Sequence, residues 1–247
     1  MRAIGIDVGG SGIKAAVVDL AAGDFAGERV RIDTPQPATP DAVVAAARDL
    51  IAPFPRDLPV GVGFPSPVVD GVTTTAAHVD SGWVGAPACD LFARGLGRPV
   101  TVLNDADAAG VAEARFGAAR GRAGVVILLT LGTGIGSALL NDGVLVPNTE
   151  LGHLQVRGRD AEHLAASAVR EREGLSWGEW AGRLSEVIGA VDSLLWPDLV
   201  LLGGGVSRKA DKFIPLLDVR PPVMAASLRN RAGIVGAAAI AAGAARG

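Results

Sequence analysis

Ile4-Gly5-Ile6-Asp7-Val8-Gly9-Gly10-Ser11-Gly12-Ile13-Lys14-Ala15-Ala16-Val17-Val18-Asp19 is an apolar run, a glycine break and a second apolar run, which reads as strand, tight turn, strand. The pattern returns about half a chain later. Val125–Thr130 reads as a buried strand, Gly132-Thr133-Gly134-Ile135-Gly136 interrupts it, and Ser137–Leu140 is apolar again. Gly12–Asp19 can be laid over Gly134–Asn141. Two such units suggest two halves built alike, and a cleft between two halves is a natural ligand site. Chance likeness between short apolar-glycine strings is the competing explanation.

Outward from these turns, strands alternate with helices. Pro35 to Pro40 is a proline-punctuated loop. Asp41–Ile51 has Val43, Val44, Ala47, Leu50 and Ile51 on one helical face, with Asp41 as N-cap. Val60–Phe64 is a strand ending in Pro65-Ser66-Pro67, and Val100–Leu103 is a strand ending in Asn104-Asp105, before a helical pattern over Ala106–Phe116. Leu175–Trp196 suggests one or two helices. Leu199–Leu202 is a strand running into Gly203-Gly204-Gly205, and Ile234–Ala245 is a closing helix. The class is α/β.

A chain of 247 residues makes one large domain or two small ones and buries about three quarters of its unfolded surface. With 49% hydrophobic and 20% charged residues, bulk disorder is excluded. A lone cysteine, Cys89, excludes an internal disulfide framework and a Cys-rich zinc site. A net charge of −3 argues against a generic nucleic-acid binder. The N-terminus has no signal-peptide pattern, and no apolar run is long enough to span a bilayer, so the expected location is the cytoplasm. Only three cations are lysines, Lys14, Lys209 and Lys212, and all three lie in or beside glycine-rich turns.

Those turns are the first candidate sites. Glycines let the backbone fold sharply and bring its N–H groups onto an anion. In Asp7–Lys14, Ser11 and Lys14 add donors, and Asp7 could hold a hydrated Mg²⁺ beside phosphate. The loop lacks Walker A spacing, and a strand-like run follows it where a Rossmann fingerprint has a helix. Thr133 supplies the hydroxyl in the second loop. In the third, Gly203–Lys212, Ser207 is the expected N-cap of a helix. A plain glycine hairpin or a solvated charged turn explains each loop equally well when it is taken alone. Asn104-Asp105-Ala106-Asp107 puts acids at the C-terminal end of a strand, where α/β folds bind ligands and where phosphoryl transfer needs a carboxylate near the attacking hydroxyl; a helix cap is the alternative. Glu150-Leu151-Gly152-His153 sets a Glu and a His three apart, both facing a polyhydroxyl ligand if the segment turns helically.

In this order, over almost the whole chain, the motifs resemble those of the ROK family of sugar kinases and repressors. Asp7–Lys14 and Gly132–Gly136 look like its phosphate loops, Asn104-Asp105-Ala106 like its Asn-Asp-Ala, and Glu150-x-Gly152-His153 like its E-x-G-H. The resemblance implies an actin-like ATPase (ribonuclease H-like) duplicated fold, two lobes around a cleft. Residues 1–105, with the closing helix at about 232–247, would form the small N-terminal lobe, and 106–231 the larger C-terminal one. It implies Asp105 as general base for a glucose 6-hydroxyl, with Ser66, Asn104, Glu150 and His153 around the sugar. A further sugar-binding Glu maps to Glu162, beside His163.

The phosphate donor would lie along Gly9, Gly10, Ser11, Gly12, Lys14, Thr133, Gly134, Gly204, Gly205, Ser207, Lys209 and Lys212, with Mg²⁺ at Asp7. The strings Asn104–Gly110, Thr130–Ser137, Pro147–His153 and Gly203–Lys212 resemble the polyphosphate-using branch, which implies inorganic polyphosphate, and ATP, as donors. The family's cysteine-rich zinc motif is replaced by Arg157–His163, so no structural zinc is expected. Ser66 and His78 depart from the family pattern at the expected sugar rim, leaving glucose alone or glucose with mannose open. The resemblance also implies a homodimer. A strictly ATP-dependent kinase and a non-catalytic sugar sensor are the rival readings.

Overall fold

A computed structural model of the chain describes residues 1–77 and 79–244; His78 and the expected end of the closing helix at Ala245 lie outside them. The described chain groups into two compact units, Met1–Ala112 with the segment from Arg231 onward, and Glu113–Asn230.

The opening sequence folds as β1 (Arg2–Gly9) and β2 (Gly12–Asp19), antiparallel from Arg2↔Asp19 to Gly9↔Gly12. Short strands β3 (Asp24–Phe25) and β4 (Val30–Ile32) both pair with β2. Helix α1 spans Pro40–Ile51 and buries the five residues that its periodicity selects. Its N-cap is Thr39, not Asp41. The Thr39 hydroxyl accepts from Ala42 N and Pro40 fills the first helical position, which leaves Asp41 in the first turn. Strand β5 (Val60–Phe64) runs parallel to β1; β6 (Val68–Val69) and β7 (Val72–Thr73) form a separate ribbon. Helix α2 (Ala88–Leu96) leads to β8 (Val100–Asn104), parallel to β5, and α3 (Asp105–Phe116) follows. The sheet order is β3-β2-β1-β5-β8, with β4 also on β2.

The second unit repeats this plan. Strands β9 (Val125–Leu131) and β10 (Ile135–Asn141) form the antiparallel hairpin, and β11 (Val144–Val146) extends it. A ribbon of β12 (Gln155–Val156) and β13 (Arg159–Asp160) precedes α4 (Ala161–Ala165), α5 (Ser167–Arg172) and α6 (Trp177–Leu195). Strand β14 (Leu199–Gly203) runs parallel to β9, and β15 (Val223–Ala225) parallel to β14, giving β11-β10-β9-β14-β15. In each unit a hairpin is followed by two parallel strands on its far side.

The chain then returns as α7 (Ala232–Ala244) to seat on β1 and β5. Gly5 and Gly61 are register partners. A Cβ on either would stand 1.9 Å from a carbonyl oxygen of α7, that of Ile234 or of Ala237. Glycine on both strands is therefore what lets the helix backbone lie on the sheet.

The boundary between the units falls inside α3, seven residues beyond the expected 105/106 division, because the first turns of α3 pack with the N-terminal unit: a Cβ on Gly236 would meet Ala108 O at 1.7 Å. Beyond the boundary, Glu113 is fully buried and accepts from Leu228 N at 2.7 Å, Ser227 Oγ at 3.1 Å and Ala118 N at 2.7 Å, so it ties the end of the second unit to α3. Among the described residues, no helix is long and apolar enough to cross a membrane.

Candidate active site

The first glycine loop is the tip of the β1–β2 hairpin. Lys14 Nζ stands 3.1 Å from Asp7 Oδ2, on paired positions of the two strands. Asp7 Oδ1 faces the start of α7, 3.3 Å from where a Gly233 Cβ would be. A carboxylate at a helix N-terminus sits in a favourable field. Arg31 is a neighbour that sequence reasoning missed. Register Lys14↔Arg31 brings it alongside, its guanidinium donates to Ser11 O at 3.2 Å, and it fills the space over Gly12. Only the pairing of β4 with β2 reveals it. Thr34 Oγ1 donates to Gly9 O, fixing the other side of the turn.

Asn104 ends β8 and Asp105 opens α3. Asn104 is buried, and its Oδ1 accepts from Ala106 N at 2.9 Å and Asp107 N at 3.0 Å, so it is the helix cap. What it has to offer a ligand is therefore its NH₂ group. Asp107 is buried, while Asp105 is half-buried at the first helical position. Ser66 is 2% exposed: its hydroxyl donates to Pro67 O at 3.0 Å, accepts from Thr75 N at 3.1 Å and lies 3.3 Å from Thr75 Oγ1. In this arrangement it staples the loop after β5.

In the second unit two glycine loops meet. Thr133 is exposed at the tip of the β9–β10 turn, and Gly132 O accepts from Ser167 Oγ and Ala168 N at the start of α5, both at 3.1 Å. Gly204, at φ +80°, lies so close to Leu131 that a Cβ would stand 2.3 Å from its carbonyl oxygen. Ser207 is not a helix N-cap. The segment Gly205–Lys212 is 3₁₀, capped by Gly204, and the buried Ser207 Oγ donates back to Gly204 O at 2.8 Å. Lys209 lies at a kink, its Nζ 5.9 Å from the centre of the Trp177 ring, and Arg170 sits over the same ring at 3.6 Å. Arg170 and Trp177, on α5 and α6, are further residues that the sequence reading did not single out.

Glu150 and His153 come together because Leu151–His153 makes one 3₁₀ turn, which puts His153 Nε2 4.0 Å from Glu150 Oε2. Glu162, on α4, turns back to accept from Ile135 N at 3.3 Å. Burial, with Glu162 nearby, pushes the Glu150 carboxyl up, while His153 opposes this. A hydrogen bond to Asp160 holds the His153 imidazole above its ordinary value, against a smaller opposing effect of burial. Asp160 is held low by the same bond and by Gln155. His153, Asp160 and Glu162 each bring one potential ligand atom within 4.8 Å of the others, although His153 and Asp160 are already bonded to one another.

The family model described as the ROK family matches residues 3–168. The chain belongs to the ROK family. A polyphosphate glucokinase from Mycobacterium tuberculosis (strain CDC 1551 / Oshkosh) is 52% identical over 235 residues, 95% of this chain and 89% of that protein. The crystal structure of an inorganic polyphosphate/ATP-glucomannokinase from Arthrobacter sp. strain KM superposes with a TM-score of 0.94 at 50% identity, covering 98% of both chains. A ROK family glucokinase from Streptomyces griseus, solved with glucose and AMPPNP, gives a TM-score of 0.84 at 26% identity, covering 98% of this chain and 100% of that one. The duplicated fold expected from the glycine turns is thus the actin-like fold of ROK sugar kinases.

Proposed function

We propose that this ROK protein transfers a phosphoryl group from inorganic polyphosphate, and from ATP, to the 6-hydroxyl of glucose, giving glucose 6-phosphate. The observation that carries the reading is Asp105, the half-buried carboxylate that opens α3 beside the buried cap Asn104, in a chain 52% identical to a polyphosphate glucokinase. Asp105 takes the proton of the 6-hydroxyl. The sugar oxygen attacks the terminal phosphorus, the bridging P–O bond breaks, and the donor leaves one phosphate shorter.

Most of the acceleration comes from in-line positioning and charge neutralisation. Asn104 NH₂, Glu150, His153 and Glu162 hold the sugar hydroxyls, and Ser66 shapes the rim through the loop that it staples. The donor is cradled by Gly9, Gly10, Ser11, Gly12 and Lys14, and by Thr133, Gly134, Gly204, Gly205, Lys209 and Lys212, with Arg31 and Arg170 beside them; Ser207 acts through its backbone turn. Asp7 is a hard oxygen donor of the type Mg²⁺ prefers, so it fits that ion, which would supply charge neutralisation at the donor phosphates. The same reading includes mannose as a second acceptor, as the Arthrobacter neighbour's name suggests, together with a homodimer and a cytoplasmic location.

The test is product formation by the purified protein with Mg²⁺, with polyphosphate or ATP as donor and glucose or mannose as acceptor. Glucose 6-phosphate from polyphosphate is the expected result. Turnover with ATP alone would remove polyphosphate from the reading. Glucose binding without turnover would replace the kinase with a sensor.

A further inference from the structure

Asp160 holds the N-cap position of α4, where an aspartate ordinarily accepts from the first free amides of the helix. Its side chain makes no capping bond. Oδ2 lies 3.0 Å from His153 Nδ1, and Oδ1 accepts from Gln155 Nε2. Gln155 and Asp160 are partners in the β12–β13 ribbon, so two backbone elements aim the carboxylate at the ring. On the ring's far side, Nε2 lies 4.0 Å from Glu150 Oε2.

An ionised carboxylate can only accept, so a neutral imidazole bonded to it carries its proton on Nδ1 and leaves a lone pair on Nε2. We infer that Asp160 is a positioning residue for sugar recognition: it fixes the orientation and tautomer of His153, so that Nε2 accepts a hydrogen bond from a sugar hydroxyl beside Glu150. Without Asp160 the ring turns freely and populates the Nε2–H tautomer, which cannot accept at that place. Carboxylates that orient metal-bound histidines in the same way change affinity or activity by ~10–100-fold when removed, which sets the scale for a ring that binds a hydroxyl instead. The inference rests on the sugar-kinase reading above and adds how that site selects its acceptor.

The test uses the full chain and two readouts. Imidazole ¹⁵N shifts report the tautomer directly, and with only three histidines in the chain, His153 is assigned by comparison with His153→Gln. At alkaline pH, where the imidazole is neutral, the wild type is expected to show Nδ1–H, and Asp160→Ala to lose it. Asp160→Asn keeps an acceptor for Nδ1–H, with the Gln155 amide turning to meet the new NH₂, and so retains the tautomer.

In steady state, Asp160→Ala is expected to raise the glucose KM about tenfold, with kcat and the donor KM nearly unchanged, and Asp160→Asn to recover most of that loss. A wild-type Nε2–H tautomer would overturn the inference without any variant. So would an unchanged glucose KM in a folded Asp160→Ala enzyme, or a loss that Asp160→Asn does not recover. If the wild type phosphorylates no glucose at all, the kinase reading falls, and the NMR result still decides the geometry.

Discussion

In the proposed reaction Asp105 serves the chemistry and His153 the recognition, so their variants should fail differently. Asp105→Asn keeps the size and polarity of the side chain and removes the base. Its kcat should fall by roughly 10²–10⁴-fold while glucose binding, followed by calorimetry, persists. Turnover near that of the wild type would remove Asp105 from the role of base. The pH response belongs to His153. Its imidazole is held above the usual 6.5, chiefly by Asp160, with Glu162 and Glu150 adding to the effect. Below that raised value Nε2 is protonated and donates instead of accepting. The glucose KM should therefore rise as pH falls, beginning above 6.5, and Asp160→Ala should move this acid limb downward. Glu150, raised by burial from 4.5, is the other titrating group beside this ring, and a Glu150→Gln control shows which of the two sets the limb. Folding stability runs the other way. A raised histidine pKa contributes below 6.5 and loses its contribution as pH climbs through the folded value, so the Tm advantage of wild type over Asp160→Ala should narrow in alkali. Because His153 is largely exposed, the change will be small.

Each element owes its position to a few residues that sequence periodicity marks unevenly. The buried face of α1 could be read from the sequence because Val43, Val44, Ala47, Leu50 and Ile51 follow the helical repeat. Its cap could not, because Thr39 and Asp41 both suit an N-cap and only the position of Pro40 at the first turn decides between them. Ser207 misled for a similar reason: glycine, then serine, then a polar run is the pattern of a helix start, yet the hydroxyl bonds back to Gly204. Asp160, Arg31 and Arg170 were hidden because their partners come from other strands or helices, and strand pairing is not written in local sequence. Glycines are informative where two backbones must touch. Gly61→Ala would drive a Cβ into Ala237 O, a clash that no side-chain rotation relieves. A loss of about 1–3 kcal/mol or more is expected, read as a lowered denaturant midpoint. Gly182→Ala, with open space around it on α6, should leave stability level or slightly higher. Equal effects at the two sites would show that helix α7 does not seat as described.

For the molecule as a whole, the duplication was visible in the sequence because two glycine hairpins repeat, and the strand orders β3-β2-β1-β5-β8 and β11-β10-β9-β14-β15 carry it through both units. Charge raises a separate question. A protein of net charge −3 that uses a polyanionic donor works against its own average field, so attraction must come from local cations. Two of the three lysines, Lys209 and Lys212, fall in one 3₁₀ segment of the second unit, and Lys209 shares the Trp177 ring with Arg170. Lys209→Gln with Lys212→Gln should raise the KM for long-chain polyphosphate several-fold at low salt, leave the glucose KM alone and change ATP kinetics less, since a nucleotide triphosphate spans fewer charges. Added salt screens the wild-type contacts over a Debye length of about 10 Å at 0.1 M, so the two proteins should converge as ionic strength rises. If the polyphosphate KM of the double variant matched that of the wild type at every salt concentration, the donor's charge would have to be met elsewhere, with Arg31 and Lys14 at the first glycine loop the next residues to neutralise.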